Sequence, residues 1–313
     1  MSNEKGMLVA VPERWDEACF AIPALRALTR TGLVGGLVCR EEQEAFWKTV
    51  CDLPQIQFSA KTKVGALVAK IKDGWEASLV WEPGMVAKAF AKAGIERRLG
   101  PDLATMKKLL THPMEVTESA TEHRVRMYLK TCEQLGVPVD KPEYFVAASL
   151  EVPAAPGTVL LCPGSDFGAS YEWPLDRWQE LAEELLEKGK RVTVAGVVGG
   201  RGLGEILAGR LGREVEFFDA APLAASLPLL AVHQLVISAD GSLPHLAAHA
   251  GSTCVTLFGP NDVVWKRPLG KRHIVVKRHV ECAPCLSPKC LMDGRCQTEL
   301  EVAKVLAAIP RSF

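Results

Sequence analysis

The chain has 313 residues, with 37 basic and 37 acidic side chains and a formal net charge of zero. Such a balance draws no nucleic acid to the molecule as a whole, and an aromatic content of 6% is low for a base-stacking surface. Hydrophobic residues at 48% beside 24% charged residues fit a globular protein with sizeable cores, and there is no apolar run of about 18 residues to span a bilayer.

The opening Met-Ser-Asn-Glu-Lys-Gly is not a charged-then-apolar leader, so a cytoplasmic protein is expected. Residues 7–11 predict a strand and 16–31 a helix behind it. A strand over 35–39, a helix over 41–50, a helix over 64–71 and a strand over 77–81 continue the alternation. Strands alternating with helices argue for a parallel sheet with helical crossovers. Residues 118–135 read as a long amphipathic helix with Val125, Leu129 and Cys132 on one face. The pattern lapses into Pro-rich polar sequence over 136–157, which sets a domain boundary and predicts domains over 1–150 and 151–313.

A second alternation follows, with strands over 158–162, 191–195, 215–218 and 235–238 and helices over 175–188, 202–211 and 223–231. It closes with Asp-Gly-Ser-Leu-Pro-His-Leu-Ala-Ala-His-Ala-Gly-Ser-Thr-Cys-Val-Thr-Leu-Phe-Gly-Pro over 240–260, a strand–loop–helix–strand unit. Ligands of open parallel sheets bind where strands end, and loop amides at a helix start suit phosphate. Asp240, Gly241, Ser242 and His245 are therefore candidates for a phosphorylated ligand. Helix capping by Asp240 or Ser242 and a structural role for His245 are the plainer alternatives.

After the strand at 158–162 comes Pro163-Gly164-Ser165-Asp166-Phe167-Gly168, whose small residues let backbone amides approach an anion. The later Gly196-Val197-Val198-Gly199-Gly200-Arg201-Gly202 lacks the spacing of a dinucleotide fingerprint, so a nicotinamide site is not indicated. In the first domain, Pro12-Glu13-Arg14-Trp15-Asp16-Glu17 places carboxylates where a strand ends. One of them could take a proton from an attacking hydroxyl, or they could simply favour a helix's first turn. Arg97 and Arg98, with Lys107, Lys108, His112 and His123, form a basic section suited to a phosphorylated acceptor or to a solvated face. Six cysteines (Cys19, Cys39, Cys51, Cys132, Cys162, Cys254) are expected as small core residues. Cys282, Cys285, Cys290 and Cys296 cluster at a spacing compatible with structural zinc, with free thiols as the alternative.

Together these segments resemble glycosyltransferase family 9, the ADP-heptose:lipopolysaccharide heptosyltransferases. The matching pieces are Pro23-Ala24-Leu25-Arg26-Ala27-Leu28, Ala93-Gly94-Ile95-Glu96-Arg97-Arg98-Leu99-Gly100, Leu110-Thr111-His112, Leu135-Gly136-Val137-Pro138, residues 163–174, residues 240–260 and the Cys-x-Pro-Cys of Cys282 to Cys285, all in order. The resemblance implies a GT-B fold, an α/β architecture of two Rossmann-like parallel-sheet domains facing across a cleft. The first domain would bind the acceptor and the second the nucleotide sugar. It implies inverting transfer of heptose from ADP-heptose to a lipopolysaccharide-core or other glycan acceptor, with no cofactor required, by a monomer at the inner face of the cytoplasmic membrane.

Carried onto this chain, Glu17 would be the base. Gly164, Ser165, Tyr171, Asp240, Gly241, Ser242 and His245 would bind the donor, and Arg97 and Arg98 the acceptor. The chain departs from the family pattern at four places. Asp16-Glu17 replaces Gly-Asp, Gly241-Ser242 replaces Thr-Gly, Tyr171-Glu172 replaces Lys-Arg, and Gly199-Gly200 replaces an acidic turn. A transferase using another nucleotide sugar, or a catalytically lapsed relative or four-cysteine metal protein, are the alternatives.

Overall fold

The computed structural model describes residues 6–71, 74–116, 119, 121–197, 202–220 and 223–313. It divides into two compact units, Met1–Val146 and Ala147–Phe313, where the sequence placed the division between 150 and 151.

Unit 1 is a six-stranded parallel sheet. Its strands are β1 (Met7–Ala10), β2 (Val34–Arg40), β3 (Gln55–Phe58), β4 (Ala77–Val80), β5 (Arg97–Pro101) and β6 (His112–Met114). Between them run α1 (Trp15–Arg30), α2 (Glu44–Lys48), α3 (Val64–Ile71) and α4 (Met85–Lys92), and α5 (Val125–Gln134) follows β6. The strand order is β3-β2-β1-β4-β5-β6, so the winding direction reverses between β1 and β4. Strands β1 and β4 are buried along their whole length, which is why they read as continuous apolar runs. Helix α1 is buried on nearly every turn and keeps Pro23 inside it. An internal proline removes one backbone donor, and packing of the surrounding Ile22, Ala24 and Leu25 against the core offsets that loss.

The short strands β3, β5 and β6 were not expected. Gln55–Phe58 is polar and half-exposed, and Arg97–Pro101 and His112–Met114 begin with basic residues. Helix α5 begins at Val125 rather than at 118, and residue 118 lies outside the described residues. Val125, Leu129 and Cys132 are buried along it as expected.

Unit 2 repeats the plan, with strand order β12-β11-β10-β7-β8-β9, all parallel. Its strands are β7 (Ala155–Cys162), β8 (Arg191–Gly196), β9 (Glu216–Asp219), β10 (His233–Ala239), β11 (Thr253–Phe258) and β12 (Ile274–Lys277). Its helices are α6 (Leu175–Glu187), α7 (Leu203–Leu211), α8 (Leu227–Val232), α9 (Leu243–Ala250), α10 (Val263–Lys266), α11 (Arg295–Thr298) and α12 (Val302–Ala308). The reversal here lies between β7 and β10. One face of the sheet is sealed by Trp173, Trp178, Leu181 and Leu185 together with Val302 and Val305. The two indoles meet edge to face at 5.3 Å, and Trp173 Nε1 donates to the Leu300 carbonyl at 2.9 Å. Helix α7 approaches β8 so closely that a Cβ at Gly204 would sit 2.3 Å from the Ala195 carbonyl oxygen, and only glycine permits that approach.

Both units are α/β sheets of the doubly wound kind, with the β-order of a dinucleotide-binding fold. Among the described residues no helix is long and apolar enough to cross a membrane.

Candidate functional site

Each sheet offers a crevice where its winding reverses, outside the carboxyl ends of the two central strands. In unit 1 that place is formed by the residues after β1 and after β4. In unit 2 it is formed by the residues after β7 and after β10.

At the first crevice the chain leaves β1 through Val11 and Pro12 and enters α1 at Trp15. Asp16 is fully buried and receives two bonds from the Arg14 guanidinium, both 3.1 Å. Glu17 is 6% exposed. Arg124, just before α5, donates Nε–H to both of its carboxylate oxygens at 2.9 and 3.1 Å, and the Tyr128 hydroxyl donates at 2.5 Å. The carboxylate is thereby oriented by two donors from an element more than a hundred residues away in sequence. Burial and the Glu17 charge push the Tyr128 phenol well above its ordinary value, so Tyr128 stays a proton donor to Glu17.

Two residues here escaped the sequence reading. Arg124 carries no local motif, and its partner is remote in sequence. Glu82, just beyond β4, accepts from the Glu13 backbone N–H at 3.0 Å. Burial raises its carboxyl pKa above the ordinary value, and the neighbouring charges of Glu13 and Glu17 act in the same direction. Its signal was its place at the end of the strand over 77–81.

Arg97 and Arg98 do not join this group. They start β5 and lie in register with Ala77 and Ser78 at the beginning of β4, at the opposite end of the sheet from Glu17. Arg97 is exposed and pairs with Glu76 at 3.4 Å. Arg98 donates to the main-chain carbonyls of Leu109 and Ile95, so its guanidinium holds the turn before β6. The arginine beside the candidate base is Arg124.

At the second crevice the two loops are stitched together. Ser165 Oγ donates to the Asp240 carbonyl at 2.6 Å and accepts from the Phe167 amide at 3.1 Å. Asp166 Oδ1 accepts from the Ser242 amide at 2.8 Å. A Cβ at Gly241 would lie 2.8 Å from that same oxygen, so the Asp166–Ser242 contact is tied to glycine at 241. Gly164, Ser165, Asp240, Gly241, Ser242 and His245 are all buried around this junction. Ser242 is the residue before α9 but makes no side-chain cap bond, so simple capping does not account for it. Tyr171 is 5% exposed, and its ring meets Phe167 edge-on at 5.5 Å. Glu172 turns inward and accepts from the Ser165 amide at 3.3 Å. The Gly199-Gly200 turn lies outside the described residues.

Five of the six scattered cysteines are buried, and Cys51 is half-buried. Burial pushes the thiols of Cys39, Cys132 and Cys254 up to about 12, as inert core residues require. In the clustered four, Cys282 and Cys285 are exposed, Cys290 is half-buried and Cys296 is buried. Burial first, then the charges of Cys290, Cys282 and Cys285, raise the Cys296 thiol. Among the described residues no three His, Cys, Asp or Glu side chains are arranged to hold a metal ion.

The family model for glycosyltransferase family 9 (heptosyltransferase) matches residues 85–295. "Lipopolysaccharide heptosyltransferase 2" of Escherichia coli K12 is 26% identical over 152 residues, 47% of this chain and 39% of that protein. "Lipopolysaccharide heptosyltransferase 1" of Pseudomonas aeruginosa PAO1 is 31% identical over 141 residues, 44% of this chain and 38% of that protein. The alignments thus span under two-fifths of these relatives. The solved structure of "E. coli heptosyltransferase WaaC with ADP" superposes with a TM-score of 0.76 over 98% of this chain and 99% of that one, at 17% identity. That likeness shows a shared GT-B-like fold.

Proposed function

The chain belongs to glycosyltransferase family 9 (heptosyltransferase), and from that premise we infer that it transfers heptose from ADP-heptose to a sugar of a lipopolysaccharide core. The observation that carries this reading is the stitched junction of unit 2. Ser165, Asp166, Gly241 and Ser242 bring two loops and a helix start together at the strand reversal, where the amides of a doubly wound sheet meet phosphate.

Glu17 is the base of the proposed reaction. Its carboxylate takes the proton of the acceptor hydroxyl while the acceptor oxygen forms a bond to the anomeric carbon of the heptose. The bond from that carbon to the diphosphate oxygen breaks, and ADP leaves with the electron pair. Attack from the face opposite the leaving group inverts the anomeric centre. Arg124 and Tyr128 hold the carboxylate in one orientation, which is the positioning that general-base catalysis needs. The step uses only the chain's own groups, and the cysteine cluster stands outside it.

Purified protein, ADP-heptose and a core-oligosaccharide acceptor test the reading. Glu17→Gln is expected to lower kcat by about a hundredfold or more, with donor binding unchanged. Absence of transfer by the wild type, or a Glu17→Gln variant as fast as wild type, defeats it.

The inward Glu172 carboxylate favours a second reading, in which the donor is another nucleotide sugar. Glu172 occupies the Ser165 amide, a donor that a phosphate would otherwise use. Thermal shifts with ADP, UDP, GDP and CDP separate the two. Selective stabilisation by ADP supports ADP-heptose, and selective stabilisation by another nucleotide supports the second reading.

A further inference from the structure

The two stitched loops of unit 2 are rich in carboxylates and poor in cations. Residues 163–174 include Asp166 and Glu172 but no lysine or arginine, and 240–245 include Asp240, with His245 the one basic side chain. Asp240 is fully buried, and Glu172 is 6% exposed. A nucleoside diphosphate entering such a place adds negative charge to a poorly hydrated acidic region, which is costly unless a cation faces it.

The third loop at this end of the sheet supplies one. Strand β11 ends at Phe258, and α10 follows with Lys266 as its last residue. The neighbouring Arg267 is exposed, whereas Lys266 is only 5% exposed. Its ammonium lies 5.1 Å from the ring centroid of Trp265 and 6.0 Å from that of Phe167. Strands β11 and β7 flank β10 on either side. Lys266 therefore reaches from the loop after β11, past the end of β10, to the loop after β7. Phe167 is also the residue whose ring meets Tyr171. The buried ammonium is thus one aromatic ring away from the position where the matching motif would carry a lysine.

We propose that Lys266 binds the diphosphate of the donor, supplying from α10 the positive charge that position 171 lacks. The inference rests on the donor-binding reading of unit 2. Two aromatic faces stabilise an ammonium in this location, and a diphosphate that enters engages it through charge-assisted hydrogen bonds. Arginine at 266 would keep the charge, and methionine would keep most of the volume while removing it.

The test compares nucleoside diphosphate with monophosphate in the full-length protein by calorimetry. Wild type is expected to prefer ADP over AMP, and Lys266→Met to lose about tenfold of that preference through ADP while AMP affinity stays within about twofold. Lys266→Arg is expected to retain most of the preference. If the methionine variant lacks a cooperative melting transition, Lys266→Gln takes its place, with the same outcome expected. An unchanged ADP/AMP ratio in a folded, uncharged variant overturns the proposal, as does a wild type with no diphosphate preference. A wild type that selects UDP instead defeats the ADP-heptose reading alone, because the UDP/UMP ratio then measures Lys266 in the same way.

Discussion

Glu17 is a buried carboxylate whose setting makes strong demands on its partners. Removing Arg124 would leave a buried charge beside a phenol, and stripping one partner from a buried pair costs several kcal/mol. Arg124→Met is therefore expected to destabilise unit 1 by about 3 kcal/mol, and the Glu17→Gln/Arg124→Met double variant to recover part of that loss. Denaturant melts of the four proteins in this cycle measure the coupling, and strictly additive effects would count against it. His273 belongs to the same scale. Burial, then the Arg272 charge, lowers its pKa from 6.5 to about 4, and its Nδ1 accepts from the Cys254 amide at 3.3 Å. The unfolded chain binds the proton between those two values while the fold resists it. Its contribution is thus complete above pH 6.5 and declines as pH falls toward about 4. The loss is on the order of 3 kcal/mol. His273→Asn keeps an acceptor for the amide and should flatten the fall in stability between pH 7.5 and 4.5. His233 is shifted the same way by its own burial, so part of the slope should remain.

Among the elements, the central strands β1, β4, β7, β10 and β11 were legible because burial on both faces leaves an apolar run in the sequence. Strands β3, β5, β6 and β12 were not, since the polar Gln55, Arg97, His112 and Lys277 break that run. Strand existence there depends on a neighbour's hydrogen bonds more than on side-chain pattern. The same cause misdirected Arg97 and Arg98, because their end of the sheet is fixed by the pairing of β5 with β4. Helix α7 gives this scale its prediction. Gly204→Ala would drive a methyl into the Ala195 carbonyl and should cost about 2 kcal/mol through displacement of the helix from β8. A melting temperature equal to wild type would show that α7 can yield without penalty.

At the scale of the molecule, each unit closes a sheet and a core from its own residues. Residues 147–313 contain all six strands of the second sheet and the cluster around Trp173 and Trp178. Expressed alone, this segment is expected to melt cooperatively and to bind nucleotide within about threefold of the full chain. A non-cooperative transition with exposed apolar surface would contradict that autonomy. Local periodicity and motif order alone determined the two α/β domains, their family and the loops that end the central strands, because those signals are written within a few residues of one another. The tertiary structure alone decided which charges meet. Glu17 and Arg124 are 107 residues apart, Phe167 and Lys266 come from different crossovers, and Arg97 and Arg98 fall at the far end of their sheet. Strand order and register make those meetings, and both arise only when non-adjacent strands pair.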